Sequence, residues 1–301
     1  MIYIISNCTN SKKKSPLENL LLKNYSFINI DKSITKWKDS LNSSTLDLTT
    51  AQELYKGHSW QETLKGKKIL EQRGKIKLLI SSAGYGLIDS LKKINSYQAT
   101  FSKGNENSIH NFRSDVVSAP TTVWWDEVNN YDTSSLDKNA SIFITISYEY
   151  LIAMENTINE LIENFGKKVF IIVLSKEKLP KTYNRNILRF DTRFNSFEKG
   201  TISSIIPRFS KWLFQEIVDN NLELDNQILQ KYIDNFLLKF SKYTTPDRIQ
   251  LTDKEILSLI ENQINIKNIT SKTKGLKNLR SEGYACSQER YGKLFTKVKG
   301  K

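Results

Sequence analysis

Short, nearly continuous apolar runs recur along the first part of the chain and alternate with amphipathic segments. Four runs stand out, at Ile2–Ser6, Leu78–Ser82, Ile142–Ser147 and Val169–Leu174, and a weaker fifth lies at Ser26–Ile30. Such runs are typical of parallel strands buried on both faces. Between them, 51–71 and 150–164 have the apolar spacing of helices. This alternation predicts an α/β domain built as three layers, with a parallel sheet between helices.

After Leu174 the pattern changes. The segment 179–197 is polar and aromatic without a clear period, and helices are predicted at 202–220 and 224–240. Thr252, Ser271 and Ser287 are candidate N-caps for three short helices, at 253–264, 272–281 and 288–297. Gly283 separates the last two, a spacing typical of a helix-turn-helix. We therefore predict an α/β catalytic domain over 1–200, a helical connector over 201–245, and a basic helical domain over 246–301.

The positive charge is concentrated at the C-terminal end. The chain carries a formal charge of +13, of which +8 falls in the 37 residues from Asn265 to Lys301. Such a segment favours binding to nucleic acid, because its lysines and arginines release the counterions of the phosphates. The alternative is a basic tail that is only solvated. The predicted nucleic-acid-binding residues are Lys272, Lys274, Lys277, Arg280, Arg290, Lys293 and Lys297. The partner we expect is DNA, with RNA left open.

Several classes of protein are excluded by what the sequence lacks. Cys8 and Cys286 are the only cysteines and His58 and His110 the only histidines, so neither a disulfide framework nor a Cys/His zinc site is expected. No apolar run approaches the roughly 20 residues of a membrane span, and the apolar start is interpreted as a strand and not a signal peptide. Walker, GxGxxG, GxSxG and HExxH motifs do not occur. We expect a cytoplasmic protein without metal, cofactor or membrane partner.

Polar residues follow each predicted strand, where an open parallel sheet binds its ligands. The loop after the first strand contains Asn7, Cys8 and Lys13. The loop after Leu78–Ser82 contains Gly84, Tyr85, Gly86 and Asp89, and Glu149 follows the strand at Ile142. The glycines would let the backbone approach a ligand, with Tyr85 presenting a ring face. A tight turn and ordinary packing are the alternatives.

Three stretches together resemble one family. They are Cys8–Lys13, Ala51–Gly57, and Ser82–Ile88 followed by Tyr97; Leu279–Tyr291 also resembles the tail of such proteins. The chain is similar there to bacterial and phage proteins of the YaaA-like group, related to the uracil-DNA-glycosylase fold. That resemblance implies a parallel sheet with helices on both faces and cleavage of a base from its sugar. It extends loosely to antiviral glycosylases that excise bulky modified bases from phage DNA.

The chain also departs from that family. Asn7-Cys8 and Ser147-Tyr148-Glu149 stand where uracil-DNA glycosylases carry their aspartate and histidine loops. We therefore do not expect uracil as the substrate. The resemblance still implies a DNA glycosylase that serves in phage defence and flips its target base.

The predicted site follows from that reaction. Cleavage of an N-glycosidic bond develops positive charge on the sugar, which a carboxylate stabilises. Asp89 is the first candidate and Glu149 the second. Lys13, the backbone N–H groups of the Asn7–Thr9 loop or His58 would stabilise the leaving base, and Tyr85 or Tyr97 would stack on it. The predicted substrate-binding set is Asn7, Cys8, Lys13, Tyr55, His58, Ser82, Gly84, Tyr85 and Tyr97.

Two other functions remain open from the sequence. One is a non-enzymatic DNA-binding stress or regulatory protein whose α/β domain senses a small ligand. The other is an enzyme that processes free nucleosides or nucleotides.

Overall fold

The structure is a computed structural model that describes residues 1–43, 48–113, 119–241 and 247–299. It contains two compact units, Met1–Tyr243 and Thr244–Lys301, each of which is described by itself. None of the helices in the described ranges has the length and apolar character needed to cross a membrane.

The first unit is an α/β fold built on a six-stranded, mostly parallel sheet. Its strands are β1 (Ile2–Asn7), β2 (Thr49–Thr50), β3 (Ile76–Ser82), β4 (Gly86–Asp89), β5 (Lys93–Ile94), β6 (Ser141–Thr145), β7 (Val169–Leu174) and β8 (Ile187–Phe190). The sheet order is β4-β3-β1-β6-β7-β8, and only the β3–β4 pair is antiparallel. The short β2 and β5 pair with each other. The four strong apolar runs are therefore confirmed as its central strands.

The predicted fifth strand is wrong. The chain forms turns within Ser26–Ile30 and enters a helix at Ile30. The sheet is extended instead by β4 and by β8, which lies in the segment without a clear period. The side chain of Gln230 exchanges hydrogen bonds with the backbone of Arg189 on β8, donating at 3.0 Å and accepting at 2.7 Å. The Gln230 amide thus forms hydrogen bonds with a backbone N–H and C=O that would otherwise be unpaired on this edge strand.

Helices cover both faces of the sheet. They are α1 (Ile30–Ser43), α2 (Ala51–Leu54), α3 (His58–Leu70), α4 (Pro120–Val128), α5 (Tyr148–Ala153), α6 (Glu155–Phe165), α7 (Phe194–Phe197), α8 (Ile205–Asp219) and α9 (Asn226–Leu237). On one face Ser6 of β1 contacts Thr63 of α3 at 3.1 Å, and Phe143 of β6 packs edge-on against Phe214 of α8. On the other face Ser81 of β3 donates to the sulfur of Met154, between α5 and α6.

Two predicted helices are each interrupted. The segment 51–71 divides into α2 and α3 because Tyr55 is extended and Gly57 has φ +105°, a conformation that favours glycine. The break turns Tyr55 toward the sheet, where it forms an isolated bridge with Lys12. The segment 150–164 divides into α5 and α6 at Met154, whose φ of −90° and ψ of 12° interrupt the helix without an extended residue or a glycine. The predicted connector helices appear as α8 and α9, but both belong to the first unit and share its core.

The described part of the second unit, residues 247–299, contains three helices and one pair of short strands. The helices are α10 (Asp253–Asn265), α11 (Lys272–Ser281) and α12 (Gln288–Lys299), and the strands β9 (Ile249–Gln250) and β10 (Tyr284–Ala285) are parallel. Thr252 and Glu255 form the capping box that begins α10. Apolar side chains from all three helices form a separate small core. The segment between α11 and α12 contains β10 and is longer than the three- or four-residue turn typical of a helix-turn-helix.

Candidate functional site

Polar side chains converge where β1, β3 and β6 end. The amide of Cys8, directly after β1, donates to the carbonyl of Ser81 on β3 at 2.9 Å. Asn7 accepts from the amide of Ser147, directly after β6, at 3.3 Å. These bonds bring the loops after three neighbouring parallel strands to one edge of the sheet, where open α/β folds bind ligands.

Six of these side chains form what we call the strand-end cluster, in which every member is at most 7% exposed: Cys8, Lys12, Tyr55, Ser82, Tyr97 and Tyr150. The Cys8 sulfur lies 3.2 Å from the Tyr150 hydroxyl. The Tyr97 hydroxyl lies 2.6 Å from Ser82 Oγ and 2.9 Å from the Tyr55 hydroxyl. Buried polar groups satisfied in this way form a rigid network.

The cluster's hydroxyl groups form a continuous chain of hydrogen-bonding contacts. Ser82 Oγ accepts from the amides of Gly84 and Tyr85 at 3.3 Å and 3.1 Å and also contacts the Tyr97 hydroxyl. The Tyr97 hydroxyl continues the chain to Tyr55. Burial raises the pKa values of Tyr55 and Tyr97 well above the usual tyrosine range, so both hydroxyls stay protonated at neutral pH. The tyrosine hydroxyl groups of the cluster are therefore neutral.

Gly84 is required by packing inside the cluster. A Cβ at this position would lie 2.6 Å from two carbon atoms of the Tyr97 ring. Gly86 has φ +71°, and a Cβ there would lie 2.5 Å from Asn129 Cα. Both glycines are thus required by the tight turn and its close contacts. This agrees with the alternative given in the sequence analysis, in which the glycines allow packing and not the approach of a ligand.

Lys12 is buried within the cluster without an acidic partner. Its Nζ lies 4.2 Å from the centre of the Tyr97 ring and donates to the Thr9 carbonyl at 3.2 Å. Among the described residues, no carboxylate forms an ion pair with Lys12. Burial lowers its pKa from 10.5 to about 8. A cation held in this way is available to a negatively charged group of a ligand.

We expect this amine to produce a distinctive pH dependence of stability. Between pH 8 and 10.5 the unfolded chain holds a proton on Lys12 that the folded protein lacks, so the contribution of Lys12 to the free energy of unfolding rises with pH. This rise is about 3 kcal/mol across the window, it is superimposed on the opposite contribution of the buried tyrosines, and Lys12→Met should remove it. Urea unfolding at a series of pH values measures the difference between variant and wild type.

The matched control is Lys13→Met, because Lys13 is the neighbouring lysine and is exposed. It should keep the wild-type rise. Identical pH profiles for Lys12→Met and wild type would contradict a buried, uncompensated Lys12.

A histidine and a carboxylate lie at the rim of the cluster. Glu149 Oε2 is 3.4 Å from His110 Nε2, and both side chains are partly exposed, at 36% and 26%. Glu149 lies in the first turn of α5, one residue before Tyr150, whose hydroxyl contacts Cys8. The sheet edge thus combines a solvent-accessible carboxylate and imidazole with a buried amine.

The structure brings together many of the predicted residues. Cys8, Tyr55, Ser82 and Tyr97 belong to the cluster, with Asn7 and Glu149 beside it. Tyr97 is fully buried and Tyr85 is half-buried against it, their ring centres 5.3 Å apart, with the Tyr85 hydroxyl bonded to Asn95. Of the two tyrosines predicted as alternatives for stacking on the base, Tyr97 therefore has no exposed ring face, and Tyr85 is the partly exposed one.

Lys13 and His58 lie outside the cluster. Lys13 is exposed and its neighbour Lys12 is the buried lysine. His58 is exposed at the first residue of α3, beyond the break that turns Tyr55 inward.

Asp89 does not lie with the strand ends. The chain reverses after Ser82, so β4 runs back along β3 and pairs Asp89 with Leu79. Its carboxylate accepts from the amide of Leu91 at 2.8 Å, which closes a turn. The expectation that Asp89 reaches the ligand crevice is wrong, because it assumed that the segment after Ser82 continued away from the sheet. Glu149 is the predicted carboxylate that the fold places at this edge.

The predicted nucleic-acid-binding residues lie on two helices of the second unit. Lys272, Lys274, Lys277 and Arg280 belong to α11, and Arg290, Lys293 and Lys297 to α12. All are exposed except Arg290, which is half-buried and forms an ion pair with Asp253 at 2.6 Å.

No family model matches this chain, and no curated protein sequence matches it either.

Proposed function

We propose that the protein is a DNA glycosylase with a uracil-DNA-glycosylase-like first unit and a basic helical second unit that binds DNA. The observation that carries this proposal is that one edge of the sheet holds both the buried amine of Lys12 and the partly exposed carboxylate of Glu149. These are the two opposite charges that cleavage of an N-glycosidic bond requires.

Each group has a role in that reaction. As the bond breaks, the sugar gains oxocarbenium character, which the Glu149 carboxylate stabilises. His110, whose Nε2 lies 3.4 Å from that carboxylate, accepts the proton that water loses as its oxygen bonds to the anomeric carbon. The departing base carries negative charge, which Lys12 stabilises in its protonated form. The hydroxyls of the strand-end cluster hold Lys12 in place.

The second unit supports this chemistry because it binds the DNA substrate on the same chain as the first unit. DNA bound through phosphates to the basic helices is held at high effective concentration near the first unit. Such contacts give affinity without reading sequence, so base choice would reside in the first unit. The resemblance stated above favours a modified base as substrate.

One observation favours a second candidate. The strand-end cluster is almost closed to solvent, which suits a small ligand better than a nucleotide within a polymer. An enzyme that cleaves free nucleosides or nucleotides would need the same charges and no DNA-binding unit.

One comparison separates these functions. The full-length protein should create abasic sites in duplex DNA that carries hypermodified bases, and should release little base from the corresponding free nucleosides. Release from nucleosides alone would establish the second candidate. Binding to DNA without base release from any of these substrates would favour a non-enzymatic regulator and contradict the proposal.

A further inference from the structure

Two open cavities of the second unit lie next to each other and share two arginines. The first, of about 510 Å³, is lined by Arg248, Arg280, Ser287 and Arg290. The second, of about 590 Å³, is lined by Arg248, Arg280, Lys272 and Lys277. We call the four cations Arg248, Lys272, Lys277 and Arg280 the two-cavity surface.

The charge of this surface is not neutralised by its surroundings. Within the described ranges none of its four cations forms an ion pair with a carboxylate. Three acidic side chains of the unit are paired with other cations: Asp253 with Arg290, Glu282 with Lys267, and Glu289 with Lys293. Asp247, which precedes Arg248, is exposed and forms no ion pair among the described residues. The four cations still outnumber this carboxylate, so the surface keeps a net positive charge for a ligand.

Each of the two shared arginines donates one hydrogen bond to a backbone carbonyl. Arg280 Nη2 donates to the Cys286 carbonyl at 2.8 Å, and Arg248 Nε donates to the Arg280 carbonyl at 3.3 Å. Each bond uses one of the five N–H donors of a guanidinium and leaves the others for an anion.

Arg248 reaches this surface through the pairing of the two short strands. It precedes β9, and the amide of Ile249 donates to the Gly283 carbonyl at 2.9 Å, next to β10. The residue lies outside the basic segment that begins at Asn265, so the charge distribution along the sequence gives no reason to include it.

We propose that the two-cavity surface binds neighbouring phosphates of one nucleic-acid strand, and that Arg248 is one of its principal contacts. The surface offers cations and no free ring: Tyr291, which lines the second cavity, is 1% exposed and its hydroxyl donates to Gln263. It therefore suits the sequence-independent backbone and not a base. The inference rests on the proposed DNA binding and specifies where it occurs.

The test measures duplex binding by the full-length protein across a range of salt concentrations. Arg248→Gln should weaken binding about tenfold at low salt. It should also make the slope of log affinity against log salt shallower by about one, the effect of losing one phosphate contact. The double variant Lys272→Gln/Lys277→Gln should reduce the slope further. Two duplexes of unrelated sequence should be affected equally.

Lys254→Gln is the matched control, since Lys254 is an exposed lysine of the same unit that lines neither cavity. Thermal unfolding verifies that each variant folds. If wild type binds with a steep salt dependence but Arg248→Gln behaves like Lys254→Gln, the inference is overturned and DNA binding stands. If Arg248→Gln weakens binding to only one of the two duplexes, the inference is overturned, because the surface would then recognise bases and not the phosphate backbone. If wild type binds no duplex, the proposed function fails together with the inference.

Discussion

Replacing Glu149 with glutamine should lower the rate of base release by about a hundredfold or more, the scale on which positioned charges and acid–base groups act. The amide keeps the size and the hydrogen-bonding reach of the carboxylate but removes the charge that stabilises the sugar cation. DNA affinity should remain at the wild-type level, because Glu149 belongs to the first unit and binding is proposed for the second. Single-turnover base release, measured beside duplex binding, gives both quantities.

Two substitutions serve as controls. Glu163→Gln changes an exposed glutamate on the next helix, α6, and should leave the rate unchanged. Asp89→Asn should also keep most of the activity, since Asp89 closes a turn at the far end of β4. A large loss in Asp89→Asn together with full activity in Glu149→Gln would reverse the assignment.

Arg208→Ala should lower the free energy of unfolding of the first unit by about 3–5 kcal/mol. Arg208 is fully buried on α8, where its guanidinium donates to Asn195, Ser204 and the carbonyls of Glu198 and Thr201. The truncation leaves those acceptors without their donor and opens a cavity. Urea unfolding followed by tryptophan fluorescence measures the change.

Arg185→Ala provides the comparison, because Arg185 is an exposed arginine of the same unit. Its effect should stay within about 0.5 kcal/mol, as for most surface substitutions. If Arg208→Ala lowers the free energy of unfolding by less than about 1 kcal/mol, water replaces the guanidinium and the buried hydrogen bonds contribute little to stability.

The central strands were predictable because a strand buried on both faces requires an uninterrupted apolar run. β8 was missed because only four residues form it and Arg189 interrupts them. The three C-terminal helices were predictable from Thr252, Ser271 and Ser287, which precede them, although the Ser271 side chain forms no capping hydrogen bond. The breaks at Tyr55 and Met154 were not, because the apolar spacing continues through them and tertiary contacts decide the backbone.

The site was predictable only in part. The strand ends indicated Cys8, Ser82 and Glu149, since the carboxyl ends of parallel strands meet at one edge. Which of Lys12 and Lys13 is buried depends on the bridge between Lys12 and Tyr55, which lies in a loop without periodicity. His110 was missed as a site residue because it is distant from Glu149 in sequence and its segment has no strand-end pattern. Asp89 was misplaced because the Gly84–Gly86 turn begins an antiparallel hairpin.

Quantifying the free base and the abasic sites formed in one reaction tests the central claim most directly. The full-length protein is incubated with duplex DNA that carries hypermodified bases, and the released base is identified by mass spectrometry. We expect one free base for each abasic site, and neither product above background with Glu149→Gln. Strand breaks without free base, or free base at the same rate from wild type and Glu149→Gln, would contradict N-glycosidic cleavage at this sheet edge.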